Sequence, residues 1–148
     1  MNPETSNERA HRYERWLLCA ILLEPKQLSR AQCKREHFLT TGHGDVFQAM
    51  CNLAKSKEVI DIVSVVDEVE RISPTTGQFI YIATLLDEMG VVPENVVRYS
   101  REVAAAAHRR EFHKCREELA LAENRAEQMK LLDRMRALLG AKYGGVSE

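Results

Sequence analysis

Three side chains in the last third of the chain could ligate a metal ion: His108, His113 and Cys115. Imidazole and thiolate are the ligands that zinc prefers, but a helix brings two of them together only when they lie three or four residues apart. His108 and His113 are five residues apart, and His113 and Cys115 are two apart. A helix therefore points them in different directions, and the spacing predicts no metal centre.

The chain also lacks the motifs of nucleotide binding and of acid–base catalysis. Gly42 and Gly44 form a lone G-x-G before a helical pattern, which is far more often a flexible turn than a phosphate-binding loop. Asp67, Glu68 and Glu70 occupy the polar side of a predicted helix and are interpreted as a solvated face. We therefore predict no catalytic residues and no cofactor, and an enzyme is the least expected class.

A short basic band could contact phosphate groups. It comprises Arg109, Arg110, Lys114 and Arg116. Sites for single-stranded nucleic acid usually add aromatic side chains on which bases stack, and no aromatic platform accompanies this band. Glutamates at neighbouring helical positions favour ion pairs along one helix instead. We keep the four residues as a candidate basic contact patch, with nucleic acid as an alternative partner.

Charge is balanced overall but uneven along the chain. Residues 98–142 carry eleven Lys/Arg and seven Asp/Glu, a net charge of +4. The rest of the chain carries ten Lys/Arg and fifteen Asp/Glu, a net charge of −5, and the whole chain has a formal net charge of −1. An acidic first part and a basic second part could let copies attract one another or steer an acidic partner, but solvated helix faces are the favoured explanation for most of these charges.

Cysteine use and hydropathy indicate the compartment. The four cysteines are far apart and form no C-x-x-C pair, and Cys19 and Cys51 lie within apolar patterns typical of buried side chains. The N-terminus is polar up to Arg15, so no signal peptide is predicted. No apolar run reaches the roughly 18–20 residues that cross a bilayer. We expect a reduced, cytoplasmic protein without membrane contact.

Apolar residues recur at helical spacing through most of the 148 residues, which predicts an all-α fold. Ser6 or Asn7 is expected to cap a first helix that Pro25 ends, and a short second helix is expected around Leu28 and Ala31.

The middle of the chain continues this pattern. Residues 37–44 are predicted to form a loop, and Asp45 is expected to begin the third helix. Asp61 is a good N-cap for a fourth helix, whose β-branched residues weakly favour a strand but whose spacing favours a helix. A further helix is predicted over residues 79–89.

Two helices complete the chain. Pro93 suits the first turn of a long helix. Asn124 is expected to interrupt the helical pattern or to cap a helix, and a last helix is expected to end at Gly140. The predicted architecture is a compact helical globular subdomain followed by a C-terminal helical hairpin. The expected segments are a flexible tail over 1–7, the subdomain over 8–97, the long helix and hairpin over 98–140, and a second flexible tail over 141–148.

An apolar stripe on the predicted hairpin needs a partner. Either it packs on the globular subdomain of the same chain, or it meets another copy, and the second arrangement is favoured because helical hairpins commonly pair. The candidate interface residues are Phe112, Cys115, Leu119, Met129, Leu132 and Met135.

Five segments resemble, in order, the N-terminal domain of the bacterial replicative DNA helicase family of the DnaB type. No single motif is specific for the family, but five weak motifs in the same order as in the family are a strong signal together. The first resembles the opening helix of the family, and the last resembles its P-S-A-A-N-V-x-x-Y segment. The segments are residues 14–23, 37–50, 60–63, 77–86 and 92–103.

The resemblance implies a helical subdomain with a hairpin, in a family whose hairpins pair to form a collar that also binds primase. We expect a non-catalytic protein-contact module of DNA replication that self-associates and contacts the replicative helicase, primase, or both. Two alternatives stay open: the N-terminal fragment of a full-length helicase, and a DNA-binding regulator that uses the basic hairpin.

Overall fold

The computed structural model describes residues 3–74 and 79–140, and every regular element in these ranges is helical. The all-α prediction is confirmed. Short 3₁₀ turns at Pro25–Arg30, Arg35–His37, Thr84–Asp87 and Pro93–Asn95 connect the α-helices. The α-helices are α1 (Ser6–Leu23), α2 (Thr41–Lys55), α3 (Ile62–Ile72), α4 (Phe79–Ala83), α5 (Val96–Leu121) and α6 (Arg125–Gly140).

Helix α1 begins one residue earlier than the sequence predicts. Thr5 is the N-cap: its hydroxyl accepts from the Glu8 N–H at 3.1 Å, and the Glu8 carboxylate accepts from the Thr5 N–H at 3.0 Å. This reciprocal capping box satisfies two donors that a helix start leaves open. The predicted caps, Ser6 and Asn7, are wrong, because both already lie in the first helical turn.

Helix α2 also begins earlier than predicted. It starts at Thr41, so the expected loop over residues 37–44 is wrong in its second half, and Gly42, His43 and Gly44 form the first turn. A Cβ at Gly44 would lie 3.1 Å from the backbone oxygen of Arg35, so the chains approach closely at this glycine. Tertiary packing therefore overrides the low helix propensity of glycine.

Helix α3 follows the sequence prediction. The Asp61 carboxylate accepts from the Ser64 N–H at 2.8 Å and caps the helix. Helical spacing buries Val65, Val66 and Val69 on one side, which overrides the β-preference of these residues.

Two predicted helices are shorter or tighter than expected. The segment predicted as a helix over 79–89 forms only one α-helical turn, α4, and then a 3₁₀ turn that ends at Asp87. The helix expected around Leu28 is also a 3₁₀ turn, over Pro25–Arg30. Residues 75–78, part of one segment that carries the family resemblance, lie outside the described residues.

The first five helices share one hydrophobic core. Helix α1 packs against α2 and the first half of α5, while α3 packs against α2 and α4. We call this part of the molecule, from α1 to Val103, the head. Its large buried side chains include Leu17, Leu18, Ile21, Val46, Met50, Val65, Val69, Ile82, Leu85 and Val96.

Helix α5 is shared between the head and a helical hairpin. Its first half belongs to the head core, and its second half packs against α6, as the sequence predicts. Asn124 caps α6, since its side-chain oxygen accepts from the Glu127 N–H at 2.8 Å. The predicted C-terminal tail, 141–148, lies outside the described residues. No helix in the described ranges is both long and apolar enough to cross a membrane.

Candidate protein-contact surface on the hairpin

The hairpin has an inner seam that holds its two helices together. Cys115 of α5 and Leu138 of α6 are buried, while Leu131 and Met135 are half-buried on the same side of α6 as Leu138. At the edge of the seam Arg134 and Glu111 form an ion pair at 3.6 Å that is open to solvent. An exposed pair of this kind contributes little stability, so apolar contacts hold the seam.

A second apolar row lies on the outside of α6. Met129, Leu132 and Leu139 have 48, 41 and 75% of their surface exposed. Helical geometry places them roughly 80–160° around α6 from Leu131. We call these three residues the outer row. A helix of a monomeric domain usually has one apolar side, so the second one makes the outer row a candidate protein-contact surface.

The structure divides the six predicted interface residues between the two surfaces. Cys115 is buried, and Phe112, Leu119 and Met135 are half-buried, whereas Met129 and Leu132 belong to the outer row. The sequence analysis did not single out Leu139, although its spacing from Leu132 is one that places both residues on one side of a helix. Phe112 lines a shallow hollow of about 110 Å³ with Leu138 and Leu139, which connects α5 to the outer row.

The four residues of the candidate basic patch do not form one surface. On α5, Arg109 and Arg116 are seven residues apart and share one exposed side with His113. Arg110 and Lys114 lie about 100–140° around the helix from Arg109. Arg110 is half-buried and donates from Nη2 to the backbone oxygen of His37 at 2.8 Å, which attaches α5 to the head.

His108, His113 and Cys115 do not come together. His113 is exposed, Cys115 is buried in the seam, and the His108 ring packs edge-on against His37 with 5.4 Å between the ring centroids. Burial lowers the pKa of both imidazoles of this pair, so both favour the neutral form. The described residues contain no cluster of three or more side chains that could hold a metal ion.

A buried polar cluster in the head was missed by the sequence analysis. The Glu14 carboxylate lies inside the head and accepts from the Leu39 N–H at 2.6 Å and from the Thr40 N–H at 3.3 Å. The Nδ1 atom of buried His43 lies 2.9 Å from the same carboxylate. This cluster connects α1 to the start of α2 and explains why α2 begins at Thr41 and not at Asp45.

These observations define a class of protein: an all-α domain in which a helical head carries a helical hairpin with an exposed apolar row. The family model of the DnaB-like helicase N-terminal domain matches residues 6–105, and the chain belongs to this family. The match covers the head and the first part of α5.

A solved structure extends the similarity to the hairpin. The crystal structure of the N-terminal domain of DnaB helicase from Mycobacterium tuberculosis is similar with a TM-score of 0.71 over 86% of this chain and 94% of that chain. The two sequences are 21% identical, so the likeness concerns the fold alone. A comparison with curated proteins found no match.

Proposed function

We propose that the chain is a non-catalytic protein-contact module of DNA replication that self-associates through its hairpin. The observation that carries this proposal is the outer row, Met129, Leu132 and Leu139, which is exposed on a helix whose other apolar side already packs against α5. Burial of apolar surface contributes about 25 cal/mol per Å². Pairing of the outer rows of two copies would remove this apolar surface from water and so favour association.

Family membership supports the choice of proposed partners. Members of the helicase N-terminal domain family act within replicative helicases, so the proposed partners are a replicative helicase, primase, or both. A chain that presents one half of a hairpin interface could join a ring of such domains, displace a subunit from it, or hold the ring for loading. Family membership supports the replication setting, and the outer row supports the mode of contact.

Two leucines on α6 test self-association directly. Leu132→Glu places a charge on the exposed outer row, whereas Leu138→Glu places the same charge in the buried seam. We expect Leu132→Glu to shift the protein towards monomer with unchanged helix content. Leu138→Glu should instead lower the free energy of unfolding by several kcal/mol, because it buries an unpaired charge.

Light scattering after size exclusion gives the mass of each variant, and circular dichroism gives its helix content. The same experiment, repeated after mixing with the replicative helicase and separately with primase, identifies the partner by co-elution. If the wild type is monomeric at high concentration and elutes apart from both proteins, the proposal is wrong.

A second candidate is that the chain is the N-terminal part of a longer helicase. The observation in its favour is that the chain covers 94% of a structure that is itself one domain of a helicase. The source gene decides between the two: a continuous reading frame that encodes a RecA-like ATPase after residue 148 would establish the fragment.

A further inference from the structure

A small hollow lies between the first turn of α1 and the middle of α5. Its volume is about 90 Å³, which is room for several water molecules. The small side chain of Ala106 leaves this space open between the two helices. The residues that line it are Ser6, Asn7, Ala106, Arg109, Arg110 and His113.

Two arginines that line this hollow have no carboxylate partner among the described residues. The salt bridges of the described ranges include neither Arg109 nor Arg110. Arg110 donates to the His37 backbone oxygen from Nη2, which fixes its position and uses one of its five N–H donors. Burial lowers the pKa of Arg110, Glu14 partly offsets this effect, and the positive charge of Arg109 lowers the pKa further. An anion between the two groups would relieve this repulsion.

We propose that this hollow binds a phosphate group. Arg109, Arg110 and His113 line one space that is large enough for a tetrahedral oxyanion, and arginine binds phosphate oxygens through paired N–H donors. A phosphate offers more acceptor oxygens to such a set than a single carboxylate does, which favours it over an acidic side chain of a protein. The phosphate can belong to a nucleic-acid backbone or be free in solution.

The site adjoins the surface proposed for self-association, but no residue of the outer row lines it. Arg110 and Phe112 are two residues apart on α5 and therefore point about 160° away from each other. Phe112 borders Leu139 of the outer row across a neighbouring hollow, and Arg109 and His113 line both hollows, so the two sites adjoin. Because Leu132 lines neither hollow, Leu132→Glu tests phosphate binding in the absence of self-association.

Arg109→Gln is the test variant, because its side chain is exposed and the charge can be removed without disturbing the core. Arg98→Gln is the matched control, since Arg98 is exposed on the same helix and does not line the hollow. The probes are a fluorescein-labelled oligothymidylate, followed by anisotropy at low salt, and inorganic phosphate, followed by titration calorimetry.

We expect Arg109→Gln to weaken binding of the phosphate probe about tenfold, as loss of a charged hydrogen bond predicts. For the oligothymidylate, the slope of log K against log salt should fall by about 1. Arg98→Gln should bind as the wild type does, and Leu132→Glu should keep the phosphate site while losing self-association. Circular dichroism confirms that each variant is folded.

The two probes distinguish the source of the phosphate. Binding of both probes, each weakened by Arg109→Gln, indicates a general phosphate site, and binding of the oligothymidylate alone indicates a nucleic-acid backbone. The proposal is overturned if neither probe binds at low salt, or if Arg109→Gln and Arg98→Gln have equal effects. It is also overturned if a polyglutamate peptide binds and neither phosphate probe does.

Discussion

Glu14 is the charged side chain on which the packing of the head depends most. It is buried, and its carboxylate accepts hydrogen bonds from two backbone N–H groups of the segment before α2. His43 lies against the same carboxylate at 2.9 Å. A buried carboxylate needs hydrogen-bond donors in place of water, and Glu14 finds them in residues that arrive from another element.

Replacement of Glu14 by alanine should therefore be strongly destabilising. It leaves two partly buried backbone N–H groups and the buried His43 imidazole without their acceptor, and each orphaned group costs about 1–3 kcal/mol. We expect the free energy of unfolding to fall by about 3 kcal/mol or more, measured by urea denaturation. Glu117→Ala, on the exposed side of α5, is the control and should change stability by less than about 0.5 kcal/mol. Similar losses in the two variants would contradict the role of Glu14.

The partners of Glu14 explain why the sequence did not show this cluster. They lie 25 to 29 residues further along the chain, so no local spacing connects them. His43 stands between two glycines, a pattern that favours a turn when it is considered alone. The signal available in the sequence was that Glu14 shares one side of α1 with the apolar residues Leu17 and Leu18.

At the scale of single elements, local signals predicted some boundaries well and others poorly. Asp61 was identified as an N-cap because its side chain needs only the N–H three residues later. Helix α2 starts at Thr41 because of contacts with α1, which helix propensity does not contain. Boundaries set within one turn were thus predictable, and boundaries set by another helix were not.

The Asp61 cap gives a prediction at this scale. Asp61→Ala removes the acceptor for the Ser64 N–H, and loss of such a cap typically costs about 1 kcal/mol. Thermal or urea unfolding should show this loss, while Asp67→Ala, an exposed change in the middle of α3, should have a smaller effect. An equal loss in both variants would mean that the cap contributes nothing specific.

The two apolar sides of α6 show a further limit of pattern analysis. Periodicity placed Met129, Leu132 and Met135 on one candidate interface, because spacings of three and four residues all lie near one side of a helix. Which of them faces α5 depends on the angle at which α6 packs. The structure resolves this: Met135 lies near the seam, and Met129 and Leu132 belong to the outer row.

At the scale of the whole molecule, burial is concentrated in the head. The hydrophobic core extends from Tyr13 to Val103. Among residues 107–140, Cys115 and Leu138 are the only ones that are buried. The order of head and hairpin was predictable, because it follows from helix lengths and their connections. The low burial of the hairpin could not be predicted, because an apolar stripe has the same sequence pattern whether another surface covers it or solvent does.

This imbalance predicts how the two parts differ in local stability. Regions with few buried apolar contacts open at a lower free energy than the core. In hydrogen exchange followed by mass spectrometry, amides of α6 should therefore exchange faster than those of α1 at low protein concentration. If outer rows pair, a higher concentration should slow exchange in α6 and leave α1 unchanged, because association stabilises only what it contacts. Leu132→Glu should abolish this concentration dependence. Exchange in α6 that is as slow as in α1 at every concentration would show instead that the hairpin is stable alone, and that the outer row needs no second copy.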